Sequence, residues 1–273
     1  MTVSDAGAVD PRAVTAASSL SEDHVRGAEV GEAVREALRQ DRITFAFQPV
    51  VSATTRAVNY YECLLRLRGT DGGAQAAGEF IQEIERFGYI RLIDRHILDK
   101  VLVEAGRHPG VTFGFNISAL TTADRAWLRS LLTRLGANPQ LARQLVIEIT
   151  ETAALYDIEE SARFVNALRR AGCRVALDDF GVGHTSLQHL QSLTVDMVKI
   201  DRSFISDIAN NRESQVFLRH LLGLAKGIGF STIAEGVETA EEAYVLEGEG
   251  VDYLQGHFYG MATLEPPWLQ PAA

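Results

Sequence analysis

Short apolar runs alternate along the chain with longer stretches whose apolar positions recur at helical spacing. Eight runs read as strands: residues 43–48 (ITFAFQ), 58–65, 111–118, 144–150, 173–179, 196–201, 231–235 and 252–256. Between most of them lie helical patterns. Leu98, Val101, Leu102 and Ala105 share one face, with Gly106 as the expected stop. Ile158, Ala162, Val165 and Leu168 share another before Gly172, and a third pattern, Val216 to Lys226, is closed by Gly227. Val30, Ala33, Val34, Ala37 and Leu38 predict a first helix, while residues 1–25 read mostly as a flexible tail. No later linker interrupts the pattern, so residues 26–273 read as one domain.

Alternating strands and helices imply a mainly parallel α/β sheet, and eight strands in this length suit a TIM-like (β/α)8 barrel. One connection departs from that plan. Gln48 and Glu62 are only 14 residues apart, and a parallel crossover needs about a dozen residues for itself. The first pair is therefore predicted to be a hairpin, with one of its strands antiparallel to the rest.

Composition narrows the function classes. Acids outnumber bases 36 to 26, for a formal net charge of −10, which argues against binding a nucleic-acid polymer. No uninterrupted apolar run of about 18 residues occurs, and the N-terminus lacks a signal-type apolar core. Neither membrane insertion nor export is expected. The two cysteines, Cys63 and Cys173, form no CxxC pair. A reducing, cytoplasmic location fits them.

Polar residues recur near the strand ends: Gln48, Glu62, Asn116, Glu148, Asp178 with Asp179, Lys199 with Asp201, Glu235 with Glu238, and Gln255. Catalytic groups of such barrels gather at the C-terminal rim. Any one of these could be a solvated strand end. Seven carboxylates beside one lysine, however, would repel unless protonated or bound to cations. Carboxylate and amide oxygens are hard donors suited to Mg²⁺ or Mn²⁺, and the seven histidines form no zinc-type pair. The adjacent Asp178 and Asp179 can face one site only if the strand turns there, and Phe180-Gly181-Val182-Gly183 offers that turn. Lys199, inside an apolar strand, is either a snorkelling surface lysine or an inward partner of the acids.

The motifs FQPVV, YECLLR, FNIS, IEITE, DDFGVGHTSL, VKIDRSF, IAEGVET and LQG occur in this order. With them the chain resembles the EAL-domain family of bacterial cyclic-di-GMP phosphodiesterases, over about residues 30–260. The resemblance implies hydrolysis of cyclic-di-GMP to linear pGpG with two Mg²⁺ or Mn²⁺ ions, Ca²⁺ being inhibitory. It implies Glu62, Asn116, Glu148 and Asp178 as ligands of the first ion, with Asp178 bridging to a second that Asp179 and Glu235 complete. Lys199 would position the attacking water and Gln255 would sit beside the metals. Glu151 would hold the loop after Asp179, and Glu238 would support the site. Gln48, Arg66 and Asp201 would contact substrate. A homodimer is implied too. Cys63 stands where the signature tripeptide usually has alanine, His184 and Thr185 are less usual in their loop, and Ala262 stands where proline is common. A catalytically silent cyclic-di-GMP receptor or protein-interaction module is the alternative reading. A metal-dependent enolising lyase is a third, opposed by Asn116 and the Asp-Asp pair.

Overall fold

The computed structural model describes residues 11–69, 73–76, 78–182 and 187–269. Among the described residues nine strands form one sheet: β1 Ile43–Ser52, β2 Val58–Arg68, β3 Ala74–Ala76, β4 Phe113–Ile117, β5 Leu145–Thr150, β6 Arg174–Phe180, β7 Met197–Ile200, β8 Ser231–Ala234 and β9 Tyr253–Gln255. Helices α1 Pro11–Arg39, α2 Gly78–Arg86, α3 Ile90–Arg107, α4 Ala119–Thr122, α5 Arg125–Ala137 and α6 Pro139–Ala142 belong to the first half. The second half carries α7 Glu151–Tyr156, α8 Ile158–Ala171, α9 Leu187–Ser192, α10 Arg202–Ile205, α11 Arg212–Ile228 and α12 Ala240–Glu249.

The sheet closes on itself in the order β1-β9-β8-β7-β6-β5-β4-β2, with β2 pairing back to β1. Strand β1 is antiparallel to both neighbours, while β2 and β4 to β9 run parallel. The predicted barrel with one reversed strand is therefore the observed fold. Strand β3 was not predicted. It is three residues of Ala-Gln-Ala added antiparallel to the end of β2, without the β-branched residues that mark a strand.

Three helix ends differ from the reading of the sequence, and one of them is that of α3, which runs through Gly106 to Arg107 with His108 at its C-cap. α1 begins at Pro11, inside the segment read as a tail, and residues 1–10 lie outside the described residues. Proline is accommodated in a first turn, and no glycine or second proline follows until Gly27. α11 runs through Gly227 and stops at Gly229, whose φ of 95° supplies the left-handed cap. Gly172 caps α8 as predicted, with φ 99°.

A hairpin omits one crossover helix, so the outer face of β1 and β2 needs another cover. The chain end provides it. Thr263 exchanges backbone hydrogen bonds with Phe47, and the Trp268 ring packs against Phe47 (centroids 4.7 Å), Tyr61 (5.1 Å) and Phe113 (5.1 Å). Trp268 is half-buried, so Trp268→Ala should cost somewhat less than the ~3–5 kcal/mol typical of a buried tryptophan. Urea unfolding checks this; no change in midpoint would show that the strap is not a stabilising cover.

Among the described residues, no helix is long and apolar enough to cross a membrane. Cys63 and Cys173 are free and buried.

Candidate active site

Side chains alternate along a strand, so every second residue of each barrel strand faces the interior. Val50, Tyr60, Val146, Ala176, Met197 and Ile233 make an apolar plug, separate from the larger core outside the barrel. Two residues further on, the same inward face carries Glu62, Glu148, Asp178, Lys199 and Glu235. Gln48 joins from the reversed strand, two residues before Val50, and pairs with Glu62 across the hairpin. Asn116 and Glu148 are register partners, as are Thr150 and Asp178. The polar layer thus rests on a dry apolar floor.

One glycine makes room for this layer. A Cβ on Gly114 would lie 2.4 Å from the Tyr60 ring and 2.5 Å from Glu148 Oε1. Tyr60 is 1% exposed and Glu148 fully buried, so neither can move aside. Gly114→Ala should therefore cost about 1–3 kcal/mol through overpacking and displace the Glu148 carboxylate. Comparing thermal unfolding and turnover of the variant checks this; wild-type values for both would sink the argument.

Lys199 is the hub. Its buried ammonium lies 2.6 Å from Glu148 Oε2, 2.8 Å from Glu235 Oε1, 3.2 Å from Glu62 Oε2 and 3.4 Å from Asp178 Oδ1. The snorkelling alternative is excluded at 1% side-chain exposure. Gln255 Nε2 donates to Glu62 Oε2 at 2.6 Å and to Gln48 Oε1 at 3.3 Å, and Asn116 Nδ2 donates to Glu62 Oε1 at 2.9 Å. Glu62 is thereby held from three sides.

The electrostatics follow from burial. Desolvation would lower the Lys199 pKa, but Asp178, Glu148, Glu235 and Glu62 together raise it well above its ordinary value. Desolvation, reinforced by the Glu62 charge, pushes Glu148 well up. It also raises Asp178, with Lys199 pulling back, and lifts Glu235 from 4.5 to about 8. A carboxyl whose folded pKa is raised favours folding while protonated in both states. That contribution is fully present below about pH 4.5 and is lost as pH climbs towards about 8. Thermal unfolding in chelator should show falling stability across this window, and a flat profile would contradict the assignment.

Under this desolvation, four carboxyl groups against one ammonium cannot all stay ionised, which is why Glu148, Asp178 and Glu235 hold their protons to higher pH. Among the described residues no three acid, histidine or cysteine side chains converge at metal-binding distance, and the acids close on Lys199 instead. The donor chemistry nevertheless fits hard divalent cations. Asn116 Oδ1, Glu148 Oε1 and Gln255 Oε1 are buried acceptors with no hydrogen-bond partner, and buried acceptors ordinarily have one.

Two adjoining cavities open from this cluster. One, of about 260 Å³, is lined by Gln48, Glu62, Asp178, Lys199, Asp201, Glu235, Glu238 and Gln255 together with Arg202 and His257. The other, of about 370 Å³, is lined by Arg66, Asn116 and Asp178 together with Asp94, Ser118 and Thr150. Arg66 thus lines a different cavity from Gln48 and Asp201, with Nη1 donating to Leu65 O at 2.9 Å. Asp201 caps α10 through Ser203 N at 2.9 Å. Glu238 is exposed. Glu148 lies beneath the cavities, and Glu151 accepts the Gly181 N–H at 3.2 Å.

The expected turn is present: β6 ends at Phe180 and the chain turns at Gly181, with φ 100°. Asp179 adds an irregularity before it, with φ 57°, and β6–β7 pairing shifts register between Leu177 and Phe180. The bulge breaks the alternation earlier than the glycines at 181 and 183 suggested. Asp179 is exposed and lines neither cavity. Burial, then the Asp178 charge, raises its pKa. His184 and Thr185 lie outside the described residues. The sequence reading missed Tyr60, Gly114 and Asp94; the signal for Tyr60 and Gly114 was their place two residues before Glu62 and Asn116.

Fold and site together define a (β/α)8-type barrel with one reversed strand and an oxygen-donor rim around a buried lysine. The chain belongs to the EAL domain family, whose model matches residues 31–262. It is 34% identical over 236 residues to the "Probable cyclic di-GMP phosphodiesterase PdeN" of Escherichia coli, a match covering 84% of this chain and 45% of that protein. It is 31% identical over 233 residues to "Signaling protein YkoW" of Bacillus subtilis, covering 83% of this chain and 29% of that one. The chain therefore spans less than half the length of these curated relatives. Among solved structures, "PaMucR Phosphodiesterase, c-di-GMP complex" superposes with a TM-score of 0.78 at 28% identity, covering 86% of this chain and 97% of that one. The FimX EAL domain from Pseudomonas aeruginosa bound to c-di-GMP gives 0.80 at 26% identity, with the same coverages.

Proposed function

We propose that this chain hydrolyses cyclic-di-GMP to linear pGpG, adding one water across one P–O ester bond and so opening the ring. The observation that carries the proposal is the cluster of Glu62, Glu148, Asp178 and Glu235 around the buried Lys199, with unpartnered Asn116 and Glu148 oxygens. Relatives named as cyclic di-GMP phosphodiesterases support the substrate.

Glu62, Asn116, Glu148 and Asp178 would hold one divalent cation, and Asp178, Asp179 and Glu235 a second. Two such ions lower the pKa of a water and stabilise the charge that develops on an in-line displacement at phosphorus. The protein's own groups do the rest. Gln255 and Asn116 fix the Glu62 carboxylate by direct hydrogen bonds. Lys199 neutralises part of the cluster and offers a donor to a water held between the acids. Arg66 can present parallel N–H bonds to a phosphate, with Gln48 and Asp201 on the far side of the substrate. Two copies of the chain would assemble as a symmetric dimer, which light scattering tests directly.

The test is incubation with cyclic-di-GMP and Mg²⁺, Mn²⁺ or Ca²⁺ separately, with products resolved by chromatography. Mg²⁺ and Mn²⁺ should yield linear pGpG. Ca²⁺, which takes more ligands in looser geometry, should permit binding with little turnover. Tight binding with unchanged ligand under every cation would make the chain a receptor. Full turnover after exhaustive chelation would reject the cation mechanism.

A further inference from the structure

Asp94 is a buried carboxylate in the otherwise apolar stripe of α3, among Ile90, Ile93, Ile97 and Leu98. At 2% exposure it is an expensive group to desolvate. The donors to its carboxylate come from one short segment. Oδ2 accepts from Ser118 N at 3.1 Å, Ser118 Oγ at 2.7 Å and Thr121 Oγ1 at 2.6 Å. Burial still pushes its carboxyl above the ordinary value, against those three donors.

Ser118 occupies the N-cap position of α4, where a serine hydroxyl normally accepts from the helix's first N–H groups. It makes no such bond here, and its hydroxyl turns to Asp94 instead. The helix thus forgoes its cap, and the chain is anchored immediately beyond β4. Asn116 lies two residues before Ser118, with its Oδ1 buried and unpartnered. Asp94 and Asn116 line the same cavity, together with Asp178.

We propose that Asp94 is a positioning residue: by clamping Ser118 and Thr121 it fixes the end of β4 and holds the Asn116 amide oxygen ready for a divalent cation. This rests on the reading of Asn116 as a cation ligand. Groups that orient a ligand typically change metal affinity when lost, whereas a merely structural tie changes stability alone.

The test is a Mn²⁺ titration of the full chain, followed by calorimetry and by thermal shift, beside turnover at saturating Mn²⁺. Asp94→Asn keeps the shape but puts an amide where three donors converge. Its Mn²⁺ half-saturation should rise about tenfold, with turnover at saturating Mn²⁺ within about threefold of wild type. Ser118→Ala and Thr121→Val each remove one donor and should shift the half-saturation in the same direction by less. They carry the test if Asp94→Asn does not fold. Folded variants with lower melting temperatures but an unchanged Mn²⁺ half-saturation would reduce Asp94 to a structural tie and overturn the proposal. A wild-type chain with no Mn²⁺ response at all would remove the cation site itself, and Asp94's role with it.

Discussion

Lys199→Met should destabilise the cation-free protein by about 3–5 kcal/mol, the range expected when one partner of a buried ionic cluster is removed. Four carboxylates lie within 3.4 Å of this ammonium. Without it, Glu148 and Glu62 face each other at 0% and 4% side-chain exposure with no counter-charge. Their carboxyls would take up protons, so the loss should deepen as pH rises. Divalent cations would supply the missing charge, and Mn²⁺ should then raise the melting temperature more in the variant than in the wild type. Turnover should stay at least about a hundredfold down even when the ions are bound, because a preorganised donor is gone. The measurement is thermal unfolding with chelator and with Mn²⁺, beside chromatographic turnover. An unchanged melting temperature in chelator would mean that Lys199 is not the counter-charge of the cluster.

That ammonium shows where the sequence was readable and where it was not. The strand runs and the short link between Gln48 and Glu62 were enough for a barrel with a reversed strand, because chain length and crossover geometry are local facts. Glu62 and Glu148 were legible as strand-end acids, but Lys199 stayed open between a surface and an inward position until its 1% side-chain exposure placed it inside. What alternation does not give is height across different strands. Only the register of β4 against β5, and of β5 against β6, shows that Asn116 lies beside Glu148 and Thr150 beside Asp178. Its position two residues before Asn116 marks Gly114 as inward, but only the assembled barrel shows that it is the space for the Tyr60 ring and Glu148. Asp94 stayed hidden for another reason. It belongs to a helix face that reads as core, and its partners lie 24 and 27 residues away. The turn at Gly181 was legible because glycine is the usual bearer of positive φ, while the bulge at Asp179 was not, since aspartate takes that conformation only as an occasional single residue.

The contrast between Asp178 and Asp179 gives the second large effect. Asp178→Asn should lower turnover by about two to three orders of magnitude, as expected when a charge aimed at the reacting centre is lost. Asp178 is one of the residues that line both cavities, so its carboxylate can serve cations on either side. It also lies 3.4 Å from Lys199 and accepts the Asp179 N–H at 3.0 Å. Asparagine keeps the shape and an acceptor for that N–H, so the turn should persist while the charge is removed. Cation affinity should fall together with turnover. Asp179→Asn is different, because asparagine is equally tolerant of the left-handed φ of 57° and the residue lines neither cavity. It should leave most of the cation affinity in place and weaken turnover more than binding. Mn²⁺ titration and turnover measured on both variants together separate the two roles. If Asp178→Asn bound cations normally and turned over at near wild-type rate, the shared carboxylate would have no bridging part. The cluster around Lys199 would then be a structural ion network beneath a binding surface.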